Sequence, residues 1–322
     1  MITNFNIKTN NFRNIKMVFR KADFKGSWYS GSRKELLEAL ERYFNDKSFG
    51  PGETPKSLGL ESRTIIGGVS PHAGHQYSGS CAAFTYLNLF KEKIPDTIII
   101  LGTDHKGYRN IALFEEGEWE TPLGNLMVDN ELSNEILGNS KTIISDNSAF
   151  LIGEWNIEIQ LPFIKYCAGE NDVKILPIKI KRNAKIQELD ELSNNIANSI
   201  KDLGKDIVIV ASSDMSHYNV FNEEQIKTLK EIDQAVIEQF LNFNAENILN
   251  PENFINREMY NKFGLEERGP SICGRQTIAT LILIGIKLNT TKARLLKYYT
   301  SKDISPGGHP WTVGYFSGIV VK

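Results

Sequence analysis

Three short runs of apolar, largely β-branched residues constrain the fold of this chain more than any other feature: Thr64-Ile65-Ile66-Gly67-Gly68-Val69, Thr97-Ile98-Ile99-Ile100-Leu101-Gly102 and Ile207-Val208-Ile209-Val210-Ala211. A strand with one face in water alternates apolar and polar side chains, whereas a run that is apolar at successive positions needs both faces covered. The runs therefore predict strands inside a sheet with helices on both sides. A fourth run, Val173-Lys174-Ile175-Leu176-Pro177-Ile178, contains a proline that cannot donate to a ladder, which predicts a sheet edge or an irregularity.

Between these runs, apolar residues recur at helical spacing over 33–44, 80–90, 186–203, 223–243 and 274–288. Strands alternating with helices of this length predict an α/β fold with a central, largely parallel or mixed sheet flanked by helices. Two last strands are expected over 293–299 and 313–321, separated by a loop at Pro306-Gly307-Gly308-His309-Pro310. Residues 50–55 read as a turn-rich loop. The polar stretch 242–270 reads as a segment crossing the surface, with a lid over a pocket as the alternative. With no linker, repeat or low-complexity tract in 322 residues, a single α/β domain spanning 1–322 is expected.

Charge narrows the partners. The 37 basic and 39 acidic residues leave a net charge of −2, which gives no field to draw in nucleic acid or an anionic membrane. No apolar stretch approaches the length of a bilayer span, and neither partner is expected. The first twenty residues lack the apolar core of a secretory signal, and three scattered cysteines, Cys81, Cys167 and Cys273, suit free thiols in a reducing compartment. A cytoplasmic location is expected.

Of five histidines, His72, His105 and His217 each follow a predicted strand within a few residues. Were those strands parallel, all three side chains would emerge at the carboxyl edge of one sheet, where α/β proteins place ligand sites. A single histidine reads as a surface or satisfied core residue; three in equivalent places point to a pocket. No phosphate-cradling glycine motif is present. Cys273, just before a predicted helix and near Arg275, sits where thiolate is favoured and could ligate a metal or attack an electrophile. The alternative is a buried inert thiol, which is the reading given to Cys81 and Cys167.

These segments together resemble the Memo family, which is related to the class III extradiol dioxygenases. The resemblance runs from about residue 23 to the end and rests on motifs in the family's order: Gly26-Ser27-Trp28-Tyr29, Pro71-His72-Ala73-Gly74, Leu101-Gly102-x-x-His105, Thr121-Pro122-Leu123-Gly124, Ser212-Ser213-Asp214-Met215-Ser216-His217, Ile272-Cys273-Gly274-Arg275 and Val313-Gly314-Tyr315. It implies an extradiol-dioxygenase-like fold and one metal ion held by His72, His105 and Cys273. Asp214 and His217 would line the same pocket, His217 as the acid and base and Asp214 orienting or charge-stabilising it; the alternative for Asp214 is a loop residue bonding its own backbone. In the related dioxygenases two histidines and a glutamate hold iron(II). A thiolate in place of the glutamate favours a softer ion, so iron(II) or copper is implied, with zinc also allowed.

The function implied is a non-haem redox enzyme acting on an unidentified small-molecule or peptide substrate, or else a non-catalytic metal- or phosphopeptide-binding protein. Radical-SAM and AMMECR-like proteins are the implied functional partners, and zinc-assisted hydrolysis is a third chemistry. The sequence departs from the family where Glu154-Trp155-Asn156-Ile157-Glu158 replaces Glu-His-Ser-Ile-Glu, an indole standing for an imidazole. If Trp155 faces the pocket, proton chemistry and substrate shape must differ there. His75, where many relatives carry an aromatic residue, reads as pocket rim or surface, and His309 as a loop residue.

Overall fold

The computed structural model describes residues 18–151, 153–264, 271–290 and 292–322. Within them the apolar runs join one sheet of nine strands: β1 (Ile65–Ser70), β2 (Thr97–Thr103), β3 (Ile111–Leu113), β4 (Ile143–Ser145), β5 (Lys174–Ile180), β6 (Ile207–Ser212), β7 (His217–Asn219), β8 (Lys292–Thr300) and β9 (Trp311–Val321). Their order is β7-β9-β1-β6-β2-β5-β3-β4, with β8 also pairing β9. The centre, β1-β6-β2-β5, is parallel. β9 runs antiparallel to β1, β7 and β8, and β3 antiparallel to β5, so the sheet is mixed around a parallel core. Phe19–Arg20, Glu118–Trp119 and Leu126–Met127 form a separate three-stranded sheet.

Helices α1 (Arg33–Asn45), α2 (His75–Lys91), α3 (Ile186–Leu203), α4 (Glu223–Leu241) and α5 (Arg275–Lys287) are the longer ones. Ser32 and Asn222 cap α1 and α4 through their side chains, and Gly204 ends α3 in the left-handed conformation at φ 62°. Two adjacent glycines in β1 show how closely the layers meet. A Cβ on Gly67 would run into Leu281 of α5, and one on Gly68 into Thr85 of α2. Neighbouring strand residues point to opposite faces, so α5 and α2 cover opposite sides of the sheet.

Three expectations need correction. Pro177 is not at an edge, since β5 lies between β2 and β3. It lies in continuous register with β2 and at the end of the β3 ladder: its carbonyl accepts from Phe114, one residue past the end of short β3, so its missing N–H falls where that ladder stops. Helix α2 begins at His75, five residues before the periodicity suggests, because Ser78, Gly79 and Ser80 are small residues buried at a close approach. A Cβ on Gly79 would meet the Tyr43 ring of α1 at 2.8 Å. The polar segment after α4 folds into the short helices Ala245–Leu249 and Arg257–Asn261, the first of which packs on α5. Residues 265–270 of that segment lie outside the described residues.

The core also holds a charge that should be visible in stability. Asp233 of α4 is fully buried; its Oδ1 accepts from Ser216 N at 2.9 Å and its Oδ2 from the Tyr298 hydroxyl at 2.8 Å. Burial nevertheless pushes its pKa up from 3.8 to about 6. Between those values the folded chain binds more protons than the unfolded one, so stability falls as pH rises through that window, by about 3 kcal/mol in all. Asp233→Asn is expected to flatten this dependence. Urea melts between pH 4 and 7 that show the same slope for variant and parent would contradict it.

Candidate metal centre

His72, His105 and Asp214 each stand two residues beyond a central parallel strand, β1, β2 and β6 respectively. The equal offsets bring all three to the carboxyl edge of adjoining strands. His217 reaches the same place differently, as the first residue of β7 opposite Val313 of β9. Cys273 lies two residues before α5. The ligand atoms of His72, His105 and Cys273 fall within 4.8 Å of one another, as do those of Asp214, His217 and Cys273. All five residues singled out in the sequence therefore meet around one space.

Surrounding hydrogen bonds decide which ring nitrogen each histidine offers. The Ser212 hydroxyl donates to Asn156 O at 2.7 Å, so it accepts from His72 Nδ1–H at 2.9 Å. His105 Nδ1 faces the Glu154 carboxylate at 2.9 Å, and His217 Nδ1 donates to Ser271 O at 3.0 Å. In each ring Nδ1 is occupied and Nε2 is left for the cavity. His72 Nε2 is buried without a hydrogen-bond partner. An orphaned acceptor beside a second imidazole and a sulfur is what a borderline or soft ion satisfies, so the residues fit a metal.

Electrostatics complete the picture. Burial, reinforced by His105 and His217 nearby, holds His72 well below the usual histidine range and keeps it neutral. For His105, burial pulls the pKa down, but Cys273 and Glu154 outweigh it and push it up to about 9. Burial raises the Cys273 thiol, with His105 pulling it only part of the way back. The expected help from Arg275 is absent: its guanidinium donates to Leu249 O at 3.1 Å. Asp214 is buried and pushed up to about 6. Its Oδ1 accepts from His72 N and Ala73 N, so it ties one loop to another and does not close a turn on its own backbone.

The donors floor a cavity of about 630 Å³ walled by Trp28, Tyr77, Trp155, Trp311 and Tyr315. Trp155 does face it, stacked on His105 with centroids 4.5 Å apart and on Trp28 at 4.8 Å. His309 stays in its loop at the cavity edge. His75 is neither rim nor surface: it is buried among Tyr29, Tyr43 and Phe163, bonds Ile159 O at 2.9 Å, and burial lowers its pKa to about 4. Cys81 is fully buried and Cys167 partly so; burial raises both thiols.

Sequence reasoning missed the support behind His105. Glu154 also accepts from His105 N, and Lys179 of β5, 2% exposed, bonds Asp104 at 2.9 Å and stands 3.8 Å from Glu154. A lysine between Ile178 and Ile180 in a strand with both faces buried was the available signal, because such a charge needs partners.

A family model described as "Memo-like protein" matches residues 20–319. A MEMO1 family protein of Desulfurococcus amylolyticus is 39% identical over 291 residues, covering 90% of this chain and 94% of that protein. Those of Thermotoga petrophila and Pyrococcus furiosus are each 34% identical, covering 94% and 95% of this chain and 99% and 100% of the relatives. Among solved structures, an uncharacterized protein, JW3007, from Escherichia coli K12 aligns over 80% of this chain and 99% of its own at 11% identity and a TM-score of 0.46, too distant to bear on the site.

Proposed function

The chain belongs to the family of Memo-like proteins, and from that premise we propose that it is a metal-dependent redox enzyme of extradiol-dioxygenase-like type. His72, His105 and Cys273 would hold one iron(II) or copper ion, with His217 beside it as the proton carrier. The observation that carries this reading is the shared orientation of the rings: each uses Nδ1 in a hydrogen bond and turns Nε2 to the cavity that also receives Cys273. When bound, the ion would supply an open coordination position and a redox couple.

The rest is done by the chain. Ser212 and Glu154 fix the two imidazoles, and Lys179 with Asp104 steadies Glu154 from behind. His217 accepts or returns a proton at Nε2, with Asp214 Oδ2 3.9 Å away to balance the imidazolium. The stacked Trp28 and Trp155 shield one flank of His105 from water. A cavity of about 630 Å³ supports a small molecule as substrate.

Oxygen uptake by the iron(II)-loaded protein with a panel of catechols tests the reading, and consumption with at least one catechol is expected. Metal-loaded protein that is silent across the panel would favour a non-catalytic metal-binding role. No helix among the described residues is long and apolar enough to cross a membrane.

A further inference from the structure

A fourth residue obeys the spacing that gathers the donors. His72, His105 and Asp214 each stand two residues beyond a central parallel strand, and the remaining one, β5, ends at Ile180, which puts Arg182 in the equivalent place. Arg182 accordingly lines the same cavity. Its backbone is fixed there, because the Arg182 carbonyl accepts from Nε2 of Gln276 in α5, a residue only 7% exposed. The turn that follows closes through Ala184 N on Lys181 O at 3.2 Å.

The guanidinium itself is uncommitted. Lys181 beside it is paired with Glu188 at 2.6 Å, whereas among the described residues Arg182 has neither a carboxylate nor a carbonyl partner. A second cation, half-buried Lys302, lines the cavity with its Nζ bonded to Gly308 O at 3.3 Å and to no carboxylate among the described residues. Asp214 is the one carboxylate among the described lining residues. Arg182 is exposed and Asp214 buried, so positive charge stands at the mouth and negative charge at the floor of a cavity walled by aromatic rings. Apolar walls of this kind focus the field of such charges on whatever enters.

We propose that Arg182, assisted by Lys302, is the specificity-determining residue of this cavity and selects aromatic small molecules that carry a carboxylate. The inference deepens the proposed function by naming a substrate class, and it rests on that reading for the cavity being a substrate site. The planar fork of Arg182 takes both carboxylate oxygens in parallel, and Lys302 adds a point charge. Asp214 repels the same group from the floor, so the ligand enters ring first. Its ring then lies among the tryptophans beside His72, His105 and Cys273, and its carboxylate stays at the mouth.

The test is calorimetric titration of the metal-free full-length protein with 2-naphthoate and with its neutral isostere 2-naphthamide. Naphthoate is expected to bind at least about tenfold more tightly, as a charge-assisted hydrogen bond gives, and to weaken as salt is raised while naphthamide does not. In Arg182→Met the preference should collapse to within about twofold, and Arg182→Lys, which keeps the charge without the fork, should fall between. Naphthoate that binds the parent no better than naphthamide, or does not bind, overturns the carboxylate position. A preference that survives in Arg182→Met overturns the assignment to Arg182. Because no metal is present, a parent that discriminates between the probes yet consumes no oxygen with iron(II) loses the redox reading and keeps this one. The comparison of probes on the parent decides the main point without relying on the folding of any variant.

Discussion

Purified without added metal, the Cys273→Ser variant is expected to carry less than about a tenth of the parent's metal, because losing even an outer-shell partner commonly costs roughly 10–100-fold in affinity and Cys273 is proposed as a direct ligand. Serine is close in size to cysteine but offers a hard, neutral hydroxyl that does not ionise near neutrality, so the two imidazoles would be left to hold the ion with a poor third donor. Unchanged metal content in the variant, with an unchanged melting curve as the folding control, would remove Cys273 from the ligand set.

The same site carries a sign for pH. Burial raises the Cys273 thiol, and His105, pushed up to about 9, carries an extra proton at neutral pH in the metal-free protein. Both protons must leave for an ion to bind, so affinity should weaken as pH falls below about 9. The loss should be steeper than for a site built from neutral imidazoles alone.

What the sequence disclosed and what it concealed divide along physical lines. The parallel centre was legible because β1, β2 and β6 are apolar on both faces, and that pattern is local. The convergence of His72 and His105 followed, since a residue two places beyond a parallel strand has little choice of where to go. His217 arrived at the same edge by a route the pattern did not contain, on a three-residue strand that exists because β9 is there to pair with it.

Features that depend on distant partners were the ones misread. His75 read as pocket rim or surface because His72 beside it fits the ligand motif better, yet aromatic rings from α1 and from the helix at Leu161–Ala168 close around it. Arg275 lies two residues from Cys273 in sequence and turns to Leu249 in space. The buried chain from Lys179 through Glu154 to His105 joins residues up to 74 positions apart, and only the lysine's apolar setting hinted at it.

Replacing His217 by alanine should separate holding the ion from using it. Its Nε2 lies outside the His72, His105 and Cys273 triplet, so with one equivalent of cobalt(II) supplied the variant is expected to bind as the parent does. Turnover in the oxygen-uptake assay should fall by about 10²–10⁴-fold, the usual contribution of a positioned acid or base. Asp214→Asn should have a smaller effect on rate, since an amide can still accept from His72 N and Ala73 N while losing the charge that faces His217. The two readouts must diverge for the role to hold. A His217→Ala protein that lost the ion along with activity would be missing a ligand of that ion, and the proton would have to be carried by another group.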